Sequence, residues 1–177
     1  MQYTTHYRSP MGDILLAADK EGLTGLWFDG EKYFAAKLDA EHEERETPVL
    51  IEAKRWLDIY FSGREPEFMP PLHMIGSSFQ LSVWDLLRRI PYGETTTYGE
   101  LAKRIAAQRG ILRMSAQAVG GAVGHNEISI LIPCHRVVGT SGSLTGYAGG
   151  VDRKRRLLEL EGTDMEKLFV PAKGTAL

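Results

Sequence analysis

The sequence predicts an α+β protein in which an antiparallel-sheet domain precedes a helical domain of helix-turn-helix type. Three observations carry this reading. Short apolar strands at 2–7, 13–18 and 23–28 are separated by turn signals. A stretch with Pro66, Pro70, Pro71 and Gly76, residues 64–76, reads as an extended linker. Beyond it, apolar residues recur at helical spacing. A chain of 177 residues suits one large domain or two small ones.

In chain order, SPMG (9–12) and DKEG (19–22) link the three strands, and DG at 29–30 closes the third. Links this short join antiparallel neighbours. Residues 31–47 are acidic and read as an exposed helix or loop. VLIEAKRWLDIYFSG, 49–63, places Ile51, Ala53, Leu57 and Tyr60/Phe61 near one helical face and stops at Gly63. The expected division is an N-terminal sheet domain at 1–75, a second domain at 76–170 and a tail at 171–177.

The second domain opens with FQLSVWDLLRRI, where Phe79, Val83, Leu86/Leu87 and Ile90 mark a helix that PYG (91–93) ends. In TYGELAKRIA, 97–106, Thr97 and Glu100 have capping-box spacing. Ser115 is the expected N-cap of SAQAVGGAVG, 115–124. Each interior glycine of that helix costs about 1 kcal/mol relative to alanine, so Gly120 and Gly121 need a reason. Either a neighbouring helix or a DNA groove approaches closely there. Two short helices joined by a brief turn suggest a helix-turn-helix. ISILI, 128–132, reads as a buried strand ended by Pro133, which delivers Cys134 to a site. VVGTSGSLTGYAGG, 137–150, is a glycine-rich loop able to wrap a small flat ligand. VDRKRRLLELEG, 151–162, reads as a helix with Glu161 in its last turn, where a carboxylate opposes the helix dipole.

Charge is divided unevenly. Residues 1–80 carry 8 Lys+Arg against 14 Asp+Glu, and residues 81–177 carry 13 against 9. A basic half favours an anionic partner such as nucleic acid. The single cysteine cannot form an internal disulfide, and the five histidines lack metal-ligand spacing. No metal or cofactor is expected. Neither a signal peptide nor a run of membrane-spanning length is visible, so a reducing cytoplasm is the expected compartment.

Cys134 admits four readings: packing residue, redox switch, metal ligand or nucleophile. A redox switch wants a resolving thiol, which this chain lacks. The adjacent His135, the glycine-rich loop and a downstream carboxylate favour a nucleophile, since only the thiolate attacks. Neighbours along a strand point to opposite faces. Communication between Cys134 and His135 therefore requires a bend after Pro133 or a bridging water.

PCHRVVG, preceded by Asn126 and followed by SGSLTGYAGG and LLELEG, resembles the O6-alkylguanine-DNA alkyltransferase (methylated-DNA–protein-cysteine methyltransferase) family. FQLSVW, IPYGETTTYGELA and AVGGAVG are similar to the same family's helical segments, and the match covers about residues 79–162. The resemblance implies a ribonuclease-H-like N-terminal domain and a winged-helix C-terminal one. It implies single-use repair: O6-alkylguanine, and by extension O4-alkylthymine, is flipped from double-stranded DNA and its alkyl group moves to Cys134. By the same resemblance His135 takes the thiol proton through a water, Glu161 orients His135, and Asn126 braces the turn. Tyr98 donates to the guanine ring or pushes on the flanking phosphate. Tyr147, Ala148 and Gly149 line the base pocket. Gln117, Gly120, Gly121 and Arg136 are expected at the substrate or DNA, and the protein is expected to be a monomer that can cluster on DNA.

One position departs from the family pattern. Gln117 stands where the family usually has an arginine that fills the gap left by the flipped base, and glutamine lacks its charge and stacking plane. Arg113, one turn earlier, is a candidate substitute. A non-catalytic lesion sensor lacks an acceptor cysteine, a cysteine hydrolase turns over repeatedly, and a simple transcription regulator leaves PCHR unexplained.

Overall fold

The computed structural model describes residues 1–172; the last five residues of the expected 171–177 tail lie outside the described residues. The protein is α+β and divides into two compact units. One comprises Met1–Ile75 together with Glu127–Leu131, and the other Gly76–Asn126 together with the chain from Ile132 onward.

In the first unit, β1 (Gln2–Ser9), β2 (Gly12–Ala18) and β3 (Leu23–Phe28) form the expected antiparallel meander. The β1–β2 turn is held by Ser9, whose Oγ accepts from the Met11 amide at 3.1 Å. Every residue of β3 is buried. The acidic segment supplies a fourth strand that its sequence did not announce. β4 (His42–Glu44) pairs parallel with β1, giving the order β3-β2-β1-β4. Its residues are all exposed, as befits a charged edge that resists further pairing.

The opposite edge of the sheet is covered. The proline-rich segment is not a free linker: the Leu23 amide donates to Pro71 O and the His73 amide to Leu23 O, both at 2.8 Å. Gly22 permits this, because a Cβ there would stand 2.7 Å from Pro71 O. Further along β3, Leu26 bridges Ile128, so ISILI is a single bridge followed by a turn rather than a strand. Ile130 sits at φ +72, a left-handed conformation that costs a β-branched residue about 1–3 kcal/mol. That turn prevents a continuous strand.

Helix α1 (Pro48–Phe61) starts from Thr47, whose side chain accepts from the Leu50 amide. It buries Leu50, Ala53, Trp56, Leu57 and Tyr60. Ile51, expected on that face, is 53% exposed. The stripe runs through 50, 53, 57 and 60, and position 51 lies about 100° off it.

The second unit contains α2 (Ser78–Leu87), α3 (Tyr98–Arg109), α4 (Ala116–Gly124) and α5 (Val151–Leu160). A full capping box opens α2, with Ser77 and Gln80 each bonding the other's backbone. At α3 only half of the expected box forms. Thr97 Oγ1 accepts from the Glu100 amide at 3.1 Å, while Glu100 reaches Arg104. Ser115 caps α4 as expected. The buried Trp84 indole donates to Ala122 O at 2.8 Å and fixes α2 against α4. Two short strands, β5 (Thr96–Thr97) and β6 (Val137–Val138), pair in parallel and bring the start of α3 beside the residues that follow the cysteine.

Candidate active site

Cys134 opens a single 3-10 turn, Cys134–Arg136, directly after Pro133. The bend that a cysteine–histidine partnership needs is therefore present, although no strand leads into it. Asn126, at the end of α4, donates from Nδ2 to Ile132 O at 2.8 Å, and the Cys134 amide donates to the same carbonyl at 2.8 Å. Asn126 and the nucleophile candidate thus share one anchor. Cys134 is 5% exposed.

His135 is fully buried, with Nε2 2.6 Å from Glu161 Oε2. Glu161 caps the end of α5 instead of lying in its last turn. Its carboxylate also accepts from Arg136 Nε at 2.8 Å, Arg136 Nη2 at 3.2 Å and the Gly93 amide at 3.4 Å. The PYG turn is therefore part of the cradle that holds this acid. Burial alone raises the carboxyl pKa. His135 and Arg136 more than reverse that and hold Glu161 well below the ordinary carboxylate range. An ionised Glu161 can only accept, so His135 Nε2 carries the hydrogen. Burial pushes the imidazole pKa down against the opposing pull of Glu161, with Arg136 and Lys154 adding to the fall. The ring is neutral at neutral pH. Nδ1 is buried and makes no hydrogen bond among the described residues, and as the unprotonated nitrogen it can take a proton.

Arg136, expected at the substrate or DNA, turns its guanidinium inward. It is buried, gives two nitrogens to Glu161, and donates from Nη1 to Ile90 O at 2.7 Å. Its three fixed bonds leave the guanidinium inside the unit, where it neutralises the acid.

Tyr98, the first residue of α3, is buried, and its hydroxyl donates toward Thr145 O (3.2 Å) and Gly146 O (3.3 Å) of the glycine-rich loop. Burial, and then the nearby Cys134, push the phenol pKa upward, so Tyr98 stays a donor. Tyr147 packs edge-on to His135 at 6.4 Å between ring centroids. Ala148 is half-buried, and the buried Gly149 accepts from Arg153 at 3.0 Å.

Lys154 was not among the residues expected here. It is fully buried, donates to Thr145 O at 2.8 Å and lies 5.8 Å from the Tyr98 ring. Burial lowers its pKa to about 8, and Cys134 partly opposes the fall. The attraction is mutual, so a charged Lys154 favours the thiolate. A signal was present in the sequence: Lys154 precedes Leu157, Leu158 and Glu161 at helical spacing, a cation on the buried stripe of α5.

The structure thus gathers Cys134, His135, Glu161, Asn126, Tyr98 and Tyr147, and adds Lys154 and Arg136 as internal cations. It leaves Gln117 exposed near the start of α4. The two α4 glycines differ. Gly120 is buried, whereas a Cβ on Gly121 would meet nothing within 4 Å. A separate cluster in the first unit joins Asp19, Glu21 and His73, whose ligand atoms lie within 4.8 Å of one another. Its carboxylates already occupy opposite ring nitrogens, at 2.6 and 2.9 Å.

Residues 2–74 match the model of the 6-O-methylguanine DNA methyltransferase ribonuclease-like domain, and residues 78–163 match that of its DNA-binding domain. The chain is 44% identical to a methylated-DNA–protein-cysteine methyltransferase of Haemophilus influenzae, over 90% of this chain and 86% of that one. It is 37% identical to the constitutive enzyme of that name in Bacillus subtilis, over 91% and 96%. The crystal structure of Mycobacterium tuberculosis OGT in complex with DNA superposes with a TM-score of 0.78 at 42% identity, covering 90% of this chain and 92% of the other. Both halves match in order, and the relatives match over nearly their full length. The chain therefore belongs to the methylated-DNA–protein-cysteine methyltransferase family.

Proposed function

We propose that this protein repairs DNA by direct reversal, transferring the alkyl group of O6-alkylguanine to Cys134 once per molecule. The observation that carries the site assignment is the proton path built around His135. A neutral imidazole has one nitrogen fixed on an ionised Glu161 and the other with no hydrogen-bond partner among the described residues, next in sequence to the lone thiol. This is triad logic with sulfur as nucleophile.

In the reaction the thiol proton passes to His135 Nδ1 through a bridging water, and the imidazolium is balanced by Glu161. The thiolate attacks the alkyl carbon. A carbon–sulfur bond forms, the carbon–O6 bond breaks with its electron pair, and the leaving purine takes up a proton to become guanine. Tyr98 donates a hydrogen bond to the purine ring as charge develops there. Its buried hydroxyl favours that role over a contact with the flanking phosphate. Lys154 holds the loop at Thr145 and supports the thiolate, while Tyr147, Ala148 and Gly149 line the base pocket. The thioether persists, so each molecule acts once.

Residues 76–170 supply the DNA surface. Helix α4 presents Ala116, Gln117, Ala118 and Gly121 outward, and such a low-relief face seats in a minor groove. Flipping costs a few kcal/mol, least where the damaged base pairs poorly. A reducing, cytoplasmic setting suits a protein whose one cysteine must stay a free thiol. No helix among the described residues is long and apolar enough to cross a membrane.

Intact-protein mass spectrometry tests this reading. Excess O6-methylguanine duplex should add one methylene mass to the wild type and nothing to Cys134→Ala, and an unmodified wild type would refute it. O4-methylthymine duplex in the same assay decides the second substrate.

A further inference from the structure

Beyond α5 the chain returns to the glycine-rich loop. The Phe169 amide donates to Gly142 O at 3.0 Å, and Phe169 O accepts from the Leu144 amide at 2.9 Å. These bonds form a parallel bridge between Ser143 and Phe169. Gly142 has φ +94, and a Cβ there would collide with the Lys167 carbonyl. Glycine alone admits the approach. Beneath the bridge, Met165 and Leu168 pack against Val138, Leu144 and Leu158. Phe169 itself is 47% exposed, so its backbone rather than its side chain makes the attachment.

This attachment meets the active-site loop at a telling place. Leu144 is held through its amide by Phe169, and the next residue, Thr145, is held through its carbonyl by Lys154 and Tyr98. Two residues further on, Tyr147 packs on His135. The loop is thus gripped from the C-terminal segment on one side and from the reacting groups on the other.

We propose that Met165–Val170 is a strap that positions the pocket loop and thereby sets which O6-alkyl groups the site accepts. The proposal rests on the alkyl-transfer reading above. In-line attack demands alignment of sulfur, carbon and oxygen, and misplacement by about 1 Å costs roughly 100-fold in rate. A methyl group offers little surface by which a loosened pocket could hold it in line. A benzyl group offers more and needs more room. Releasing the strap therefore slows methyl transfer more than benzyl transfer. Phe169, Leu168 and Gly142 are positioning residues in this scheme, since none touches the reacting atoms.

The test uses the full chain and duplexes carrying O6-methylguanine or O6-benzylguanine, with single-turnover rates and affinity for undamaged duplex measured for each variant. Phe169→Pro deletes the amide donor at a half-exposed position. It should slow methyl transfer about tenfold and raise the benzyl-to-methyl rate ratio at least about threefold, with duplex affinity unchanged. Phe169→Ala keeps the donor and should behave as wild type. Leu168→Ala should reproduce the ratio shift, and Leu168→Met should reverse it. A strap that only stabilises the fold would reduce the reactive fraction and leave the ratio constant; a constant ratio in both Phe169→Pro and Leu168→Ala overturns the proposal. A wild type that accepts neither group would refute the function instead.

Discussion

Helices α4 and α5 invert the ordinary rule of inside and outside in opposite ways. Helix α4 turns Ala116, Ala118 and Gly121 outward, with no charged residue anywhere in its nine residues. Helix α5 is rich in charge and buries one cation, Lys154, while its capping residue Glu161 is buried as well. A bare outer surface costs helix stability, because glycine is a poor helix former. A buried ion pays desolvation that packing alone would avoid. Neither choice serves the fold. The difference shows that α4 is shaped for something that comes to it from outside, and α5 for something held within.

The largest expected effect comes from breaking the inner arrangement. Glu161→Gln strips Arg136 and His135 of their counter-charge together, and removing one partner of a buried ion pair costs about 3–5 kcal/mol. Chemical denaturation should register that loss, and single-turnover alkyl transfer should fall at least about 100-fold because the imidazole is no longer oriented.

Lys154→Met separates chemistry from stability. The substitution removes a buried cation at similar volume, so the melting temperature should hold or rise, while transfer slows roughly tenfold or more. A matching signature exists in pH. Lys154 has a folded pKa of about 8, below its unfolded value of 10.5. The unfolded chain therefore binds more protons between those values, and stability contributed by this group rises as pH climbs through the window. The rise should vanish in Lys154→Met. Glu161 has a linkage of the same sign in a lower pH window. Its lowered pKa contributes stability above the ordinary value of 4.5 that is lost as pH falls below it.

On the outer helix the signs reverse. Gly121→Leu has open space for its side chain and improves helix propensity by about 1 kcal/mol, so the protein should melt higher. Its duplex affinity should nonetheless weaken about tenfold if α4 seats in a groove. An unchanged affinity in fluorescence anisotropy would remove α4 from the interface.

The smallest effect is expected at Gln117. Replacing it with arginine restores charge and a stacking plane near the start of α4, and repair at low DNA concentration should accelerate a few-fold. An equal rate would mean that the extrahelical base is held without help from this position.

Much of this was legible in the sequence. Periodicity located the meander, α1 to α5 and the Ser115 cap, because those features depend on residues close in the chain. The PCHRVVG segment pointed to the thiol and its imidazole. The expectations that failed did so where distant segments meet. ISILI has the composition of a strand, yet Ile128 makes an isolated bridge to Leu26, and Ile130 then turns left-handed. Arg136 was expected at the substrate or DNA, and the fold sets Glu161 against it. Lys154 stood on the buried stripe of α5, but the partners that let it be buried there, the Thr145 carbonyl and the Tyr98 ring, come from distant segments.

By itself, then, the sequence determined the α+β class, the order of β1 to β3 and α1 to α5, the single thiol and the family to which the chain belongs. Local hydrogen bonding and side-chain spacing suffice for these. The tertiary structure alone decided that Glu161 is the shared counter-ion of His135 and Arg136, that a buried lysine bonds the glycine-rich loop at Thr145, and that the segment around Phe169 pairs with the same loop. Each of those depends on which groups lose water together and must then satisfy one another, and such pairings span separations that no local pattern encodes.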